Sequence, residues 1–148
     1  EPLGSCHNGA FPKAMLYCCQ GTFHKEYCSK EQQMTITRIY ADQNGNSHFE
    51  NQEIPVTPSG PLGWMSSPIA VQSMILRENP PGYHYPWHAA PCRQYIIMLE
   101  GLVEIEVGDG EKRTFGPGSI VLVEDTTGVG HASRSPDGNG RRSLFLPL

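Results

Sequence analysis

The sequence predicts an all-β domain, and three observations carry that prediction. Sixteen glycines and thirteen prolines are spread between short apolar runs along the 148 residues, a pattern of frequent turns rather than of one disordered tract. Several runs alternate apolar and polar residues with period two, as in "MTITRIYAD" (34–42), which is the signature of half-buried strands. No segment shows a convincing helical period, and no internal repeat is visible.

Residues 1–33 read as an extension and 34–148 as the compact domain. The first five residues, "EPLGS", resemble an expression-vector remnant and carry no weight in the fold. Four of the five cysteines (Cys6, Cys18, Cys19, Cys28) fall in the extension, and Cys92 lies in the domain. Reduced thiols are the expectation, with a disulfide clasp inside the extension as the alternative. Zinc is disfavoured because Cys18-Cys19 lacks the usual gap and no second Cys-x-x-Cys exists. From Met34 onward, turn signals separate strand patterns. "DQNGNS" (42–47) is a turn and "TPSGPLG" (57–63) a loop. "IAVQSMILRE" (69–78) alternates as a strand, and "NPPG" (79–82) breaks it, since proline removes backbone donors. "QYIIMLEGLVEIEV" (94–107) gives two strands meeting at Glu100-Gly101, and "GDGE" (108–111) gives a hairpin turn. "FGPGS" (115–119) leads into "IVLVE" (120–124), and "SPDGNG" (135–140) precedes the last strand, "RRSLFLPL". Roughly eight or more short strands at this spacing predict a sandwich or small barrel.

Charge narrows the function. The net charge is −4 with histidines neutral, and the basic residues are scattered. Arg141-Arg142 is too short for a basic tract, so neither a nucleic-acid nor an anionic-membrane surface is expected. No helix-turn-helix pattern accompanies the strands. No apolar run approaches the ~18 residues of a membrane span, and "AMLYCC" (14–19) is too short for a signal-peptide core. A cytoplasmic location is the expectation.

The stretch "PGYHYPWHAAPCRQYIIMLEG" (81–101) carries the chemistry. Within it Gly82, His88, Ala90, Gln94 and Gly101 are separated by five, one, three and six residues, and Pro117-Gly118, Glu124 and His131 follow. This spacing resembles the two motifs of the cupin superfamily, over residues ~70–148. "VEDTTGVGH" (123–131) resembles a subgroup of small one-domain cupins. The resemblance implies a cupin double-stranded β-helix, a jelly-roll-like barrel, with residues 34–69 as the preceding strands. It also implies a metal site of three histidines and a glutamate, from which this chain departs. His88 matches the first histidine and His131 the last. Ala90 replaces the second histidine and Gln94 replaces the glutamate. Glu124 stands where the second motif has proline, and Ser135 where it has asparagine.

Two readings of the pocket follow. In one, His88, His131 and Gln94 hold a divalent transition metal (zinc, iron, nickel or manganese) weakly. His84 completes the set, because four residues of straight strand would place it on the same face as His88. In the other, the pocket is metal-free and His88 and His131 exchange protons with a small-molecule substrate, as imidazoles do near neutral pH. Tyr83, Tyr85 or Tyr95 then serve as acids, Gln94 holds a carbonyl, and Glu124 or Asp125 adds charge. Strand parity puts Ile96 and Met98 inward with Gln94, and Tyr95 and Ile97 outward. No organic cofactor is expected. The leading expectation is a lyase- or isomerase-like enzyme. A metal-dependent dioxygenase and a non-catalytic ligand-binding cupin are the alternatives.

Structural roles are assigned to the rest. Glu124-Asp125 also fits a turn-capping pair. Trp87 and Trp64 read as packing residues, Arg93 as a salt-bridge partner, and Glu104 and Glu106 as a solvated face. His7, His24 and His48 carry no expected role. A homodimer is expected, because barrel edges pair readily.

Overall fold

Among the described residues, eleven strands form two facing sheets. They are β1 (Gln32–Ala41), β2 (Ser47–Pro58), β3 (Trp64–Met65), β4 (Ile75–Asn79), β5 (His84–His88) and β6 (Gln94–Glu100), then β7 (Val103–Glu106), β8 (Lys112–Phe115), β9 (Ile120–Val123), β10 (His131–Arg134) and β11 (Arg141–Pro147). The structure, a computed structural model, describes residues 32–148. The readings placed on Cys6, Cys18, Cys19, Cys28, His7 and His24 lie outside the described residues. Among the described residues the one helical element is a single 3-10 turn, Gly60–Leu62, and no helix is long and apolar enough to cross a membrane.

The larger sheet has the order β3-β2-β1-β9-β6-β11-β4, and the smaller β5-β10-β7-β8. Neighbours are antiparallel except β1 and β9, which run parallel. Chain-distant strands alternate between the sheets, which gives the expected jelly-roll-like barrel. The first strand starts at Gln32, two residues ahead of Met34.

Strand periodicity builds the core. Ile39 of β1, Met98 of β6, Val103 and Ile105 of β7, and Val121 and Val123 of β9 pack between the sheets. Ile39, Val107 and Val123 are fully buried, each contributing about 1.5–3 kcal/mol by leaving water. The polar alternates face out. Glu104 pairs with Arg134 and Glu106 with Lys112.

One predicted strand is shorter than its pattern. Of "IAVQSMILRE" (69–78) only the end enters β4, because the ladder with β11 closes at Ile75 opposite Phe145. Beyond it, no strand among the described residues pairs with the chain. Gln72 makes single bonds instead, its backbone N–H donating to Pro147 O (2.8 Å) and its side chain to Leu148 O (2.9 Å).

Candidate functional site

A cavity of about 490 Å³ opens between the sheets, within the usual range for small-molecule sites. Period two explains its walls. Alternate residues of β4 (Ile75, Arg77, Asn79), β11 (Arg141, Ser143, Phe145), β6 (Gln94, Ile96, Met98) and β9 (Val121, Val123) face it from the larger sheet. Tyr85 and His88 of β5, His131 and Ser133 of β10, and Val103 and Ile105 of β7 face it from the smaller.

His88 and His131 are directly opposed in the register of β5 and β10, with ring centroids 4.5 Å apart. Each has one ring nitrogen committed behind it. His131 Nδ1 lies 2.7 Å from Asp125 Oδ2, and His88 Nδ1 lies 2.8 Å from Pro86 O. Carboxylate and carbonyl oxygens only accept, so both Nδ1 atoms carry the hydrogen. The Nε2 atoms are left as the free bases of a cavity-lining pair. Asp125 is fully buried, and its second oxygen, Oδ1, has no partner among the described residues. Burial pulls the His88 pKa below the usual imidazole value; the Pro86 carbonyl and Asp125 oppose this, and the charges of His131 and Arg77 reinforce it. His88 is therefore neutral at neutral pH.

The turn after β9 makes this geometry. Gly130 has φ +69°, and any Cβ there would run into the backbone of His88. The absence of a side chain thus lets the strand carrying His131 close onto the strand carrying His88. Ser47, fully buried, braces the same turn: its hydroxyl donates to Gly130 O (2.5 Å) and accepts from Gly108 N–H (2.7 Å).

The other sequence candidates divide. Gln94 is buried and lines the cavity, as do Tyr83 and Tyr85; Tyr95 does not. His84 is exposed and lies outside the cavity. Between the pairs His131↔His88 and Ser133↔Tyr85 the β5 side spends one residue more than β10. That bulge, at Pro86-Trp87, reverses the parity on which the inward placement of His84 depended. Tyr85 takes the inward position instead and packs edge-on to His88 at 4.2 Å. Trp87 is 48 % exposed and lines nothing.

Glu124 also lies away from the histidines. It follows Leu122 on the outer face, where it is paired with Arg38 and Arg93. Burial alone would raise its carboxyl; the two guanidiniums outweigh that and hold it below the usual carboxylate range. Glu124 borders an open outer hollow of about 390 Å³ whose arginines are already paired with acids. Asp125, one residue on, turns inward beneath His131 rather than capping the turn.

The sequence reading missed Arg77 and Arg141. Both line the cavity, and Arg141 is only 6 % exposed. Arg77 Nη2 donates to Tyr83 Oη (2.7 Å), and Arg141 Nη1 to Ser135 Oγ (3.3 Å). Burial pulls the Arg141 pKa down, and the charge of Arg77 adds to that. Asn79, opposite Arg141 in the register, is buried with Oδ1 unpartnered among the described residues. The available signal was the alternation Ile75-x-Arg77-x-Asn79 and Arg141-x-Ser143-x-Phe145, an inward face with charge at a strand end.

The metal implied by the family resemblance needs donors that this cavity lacks. Among the described residues no three His, Cys, Asp or Glu side chains gather as a ligand set. His88, His131 and Gln94 are all neutral donors, and the nearby carboxylate, Asp125, is bonded to His131 Nδ1. A catalytic site usually offers three protein ligands, in the two-histidine iron sites with a carboxylate among them. The donor set does not fit a resident divalent metal.

The glycine frame sits where the two motifs require it. Gly101 (φ +73°) links β6 to β7, and Gly118 (φ +85°) turns the chain into β9, donating to Met98 O at 2.9 Å. The fold is a two-sheet, jelly-roll-like β-barrel, the architecture that the cupin resemblance implies. No family model matches the chain, and no curated protein matches it. Solved structures with similar folds include a protein of Neisseria meningitidis (18 % identity, 87 % of this chain and 99 % of that one, TM-score 0.42). A cupin-2 domain-containing protein of Shewanella frigidimarina gives 15 % identity over 87 % and 95 %, TM-score 0.41. The Cnp3 cupin domain of Schizosaccharomyces pombe gives 10 % identity over 82 % and 86 %, TM-score 0.43. At these levels they accompany the fold assignment, which rests on strand order and motif placement.

Proposed function

We propose that the cavity is the active site of a small-molecule enzyme that moves protons, of isomerase or lyase type. The observation that carries this is the buried Asp125–His131 pair beside His88. A carboxylate behind an imidazole fixes its tautomer and favours the imidazolium formed when Nε2 takes a proton. In an isomerisation His131 Nε2 removes a proton from one substrate carbon, and the same proton returns to another. In an elimination it returns to the leaving hydroxyl. His88, neutral and with Nε2 free, accepts a hydrogen bond from a substrate hydroxyl. Gln94 adds an amide that can donate to a carbonyl. Ile96, Met98, Val121 and Val123 give the site apolar walls, and a substrate that displaces water from them strengthens these interactions.

The test is proton exchange in heavy water. Small hydroxy and oxo compounds are incubated with protein, and loss of C–H signal is followed by NMR. Exchange that disappears in His131→Gln and Asp125→Asn supports the reading. Exchange no faster than in His131→Gln across the set speaks against it and favours a ligand-binding barrel without turnover.

A further inference from the structure

We propose that the cavity binds a small carboxylic acid, with its carboxylate held between Arg77 and Arg141. Three observations carry this. First, these two guanidiniums lack the carboxylate that every other arginine among the described residues has. Arg38, Arg93, Arg113, Arg134 and Arg142 each pair with a glutamate; Arg77 and Arg141 pair with none. No acidic side chain among the described residues lines the cavity, so two cations face it uncompensated in a chain of net charge −4.

Second, both cations share one inward face. Ser143 stands opposite Arg77 and Asn79 opposite Arg141, which makes the arginines diagonal neighbours on adjacent strands. Like charges so placed repel, and burying a charge without a counter-charge is costly. Third, what holds them is aromatic rather than acidic. Both guanidiniums lie over the Tyr83 ring, Arg77 at 5.4 Å and Arg141 at 4.9 Å, and Arg77 also lies 5.0 Å from the Phe145 ring. Such contacts orient a guanidinium but leave its charge unneutralised. An anion between the two would supply what is missing.

A carboxylate fits this site better than a phosphate. Arg77 Nη2 and Arg141 Nη1 each spend one N–H on Tyr83 and Ser135, and the N–H groups that remain on each planar guanidinium suit the two oxygens of a carboxylate. Ile75, Ile96, Met98 and Val121 line the rest of the cavity, which suits the carbon skeleton of an organic acid over inorganic phosphate. Both arginines line the same cavity as His88 and His131, and the charge of Arg77 acts on His88. A short acid anchored at Arg77 and Arg141 would place its adjacent carbons beside His88 and His131. That placement as a substrate rests on the proton-transfer reading; carboxylate binding itself does not.

Acetate, a small carboxylate with no other polar group, is the probe. Arginine Nε–Hε resonances of the full chain are followed at constant ionic strength during titration with acetate, acetamide or inorganic phosphate. The expected result is saturable movement of the Arg77 and Arg141 resonances with acetate alone. It should weaken at least tenfold in Arg77→Met and persist in His131→Gln. Acetate moving them no more than acetamide does, or phosphate saturating first, overturns the proposal. A normal acetate response without proton exchange sinks the catalytic reading and leaves the anion site standing.

Discussion

Asp125 and His131 are joined by a hydrogen bond of 2.7 Å from Nδ1 to Oδ2, between a carboxylate with no exposed surface and an imidazole that is 6 % exposed. They lie six residues apart, on opposite sides of a glycine-rich turn. The carboxylate keeps His131 in one tautomer, and Asp125→Asn preserves the acceptor while removing the charge. We expect proton exchange to fall about 10²-fold or more, within the usual range for acid–base groups, with little change in melting temperature. Asp125→Ala should in addition cost about 1–3 kcal/mol by leaving a buried N–H unpaired. Equal stability loss in the two variants would argue that Asp125 serves folding alone.

Gln94 stands where a carboxylate would complete a metal-ligand set with His88 and His131. Its replacement by Glu restores one anionic ligand beside two histidines, so Gln94→Glu should bind zinc at least about tenfold more tightly than the parent chain. Calorimetry with zinc checks this. Equal affinities would show that His88 and His131 do not converge with position 94 on one point.

Two glycines with similar backbone angles should respond very differently to alanine. Gly82 (φ +71°) has open space where a Cβ would go, whereas at Gly130 (φ +69°) a Cβ meets the His88 backbone. Gly82→Ala should cost about 1 kcal/mol, the penalty for left-handed backbone. Gly130→Ala should cost clearly more, because strand closure is blocked as well. Urea denaturation of both variants measures the difference.

Two histidines should give opposite pH slopes of stability. His48 sits between Asp42 (3.0 Å) and Asp109 (2.7 Å), and hydrogen bonds to these two carboxylates raise its pKa above the ordinary 6.5. Its contribution is complete below 6.5 and is lost as pH rises through the folded value. His88, lowered from 6.5 chiefly by burial, contributes fully above 6.5 and loses that contribution as pH falls through its folded value. Urea midpoints from about pH 5 to about pH 8.5 should flatten on the alkaline side in His48→Gln and on the acid side in His88→Gln. Unchanged profiles would contradict these assignments.

Much of the barrel was legible in sequence, because period-two alternation and turn residues report local geometry directly. "QYIIMLEGLVEIEV" resolved into two strands at Gly101, and Gln94, Ile96 and Met98 share the inward face that parity gave them. The site was less legible, because it depends on contacts between distant strands. Placing His84 inward assumed a straight strand, and the bulge at Pro86-Trp87 reversed the parity. Asp125 read both as pocket charge and as a turn cap, because "DTTG" favours such bonds, and its carboxylate bonds His131 instead of the turn. Arg77 and Arg141 looked like scattered surface charge, and only the pairing of β4 with β11 brings them together.

The proposed chemistry requires that His131 present a free Nε2 backed by Asp125. Nitrogen-15 NMR of labelled histidines tests it most directly, because the chemical shifts of the two ring nitrogens identify the tautomer. At neutral to mildly alkaline pH the account predicts the Nδ1–H tautomer for both His131 and His88, with the His131 form lost in Asp125→Ala. An Nε2–H tautomer at His131 in the parent chain would contradict it, since the ring would then have no base to offer the cavity.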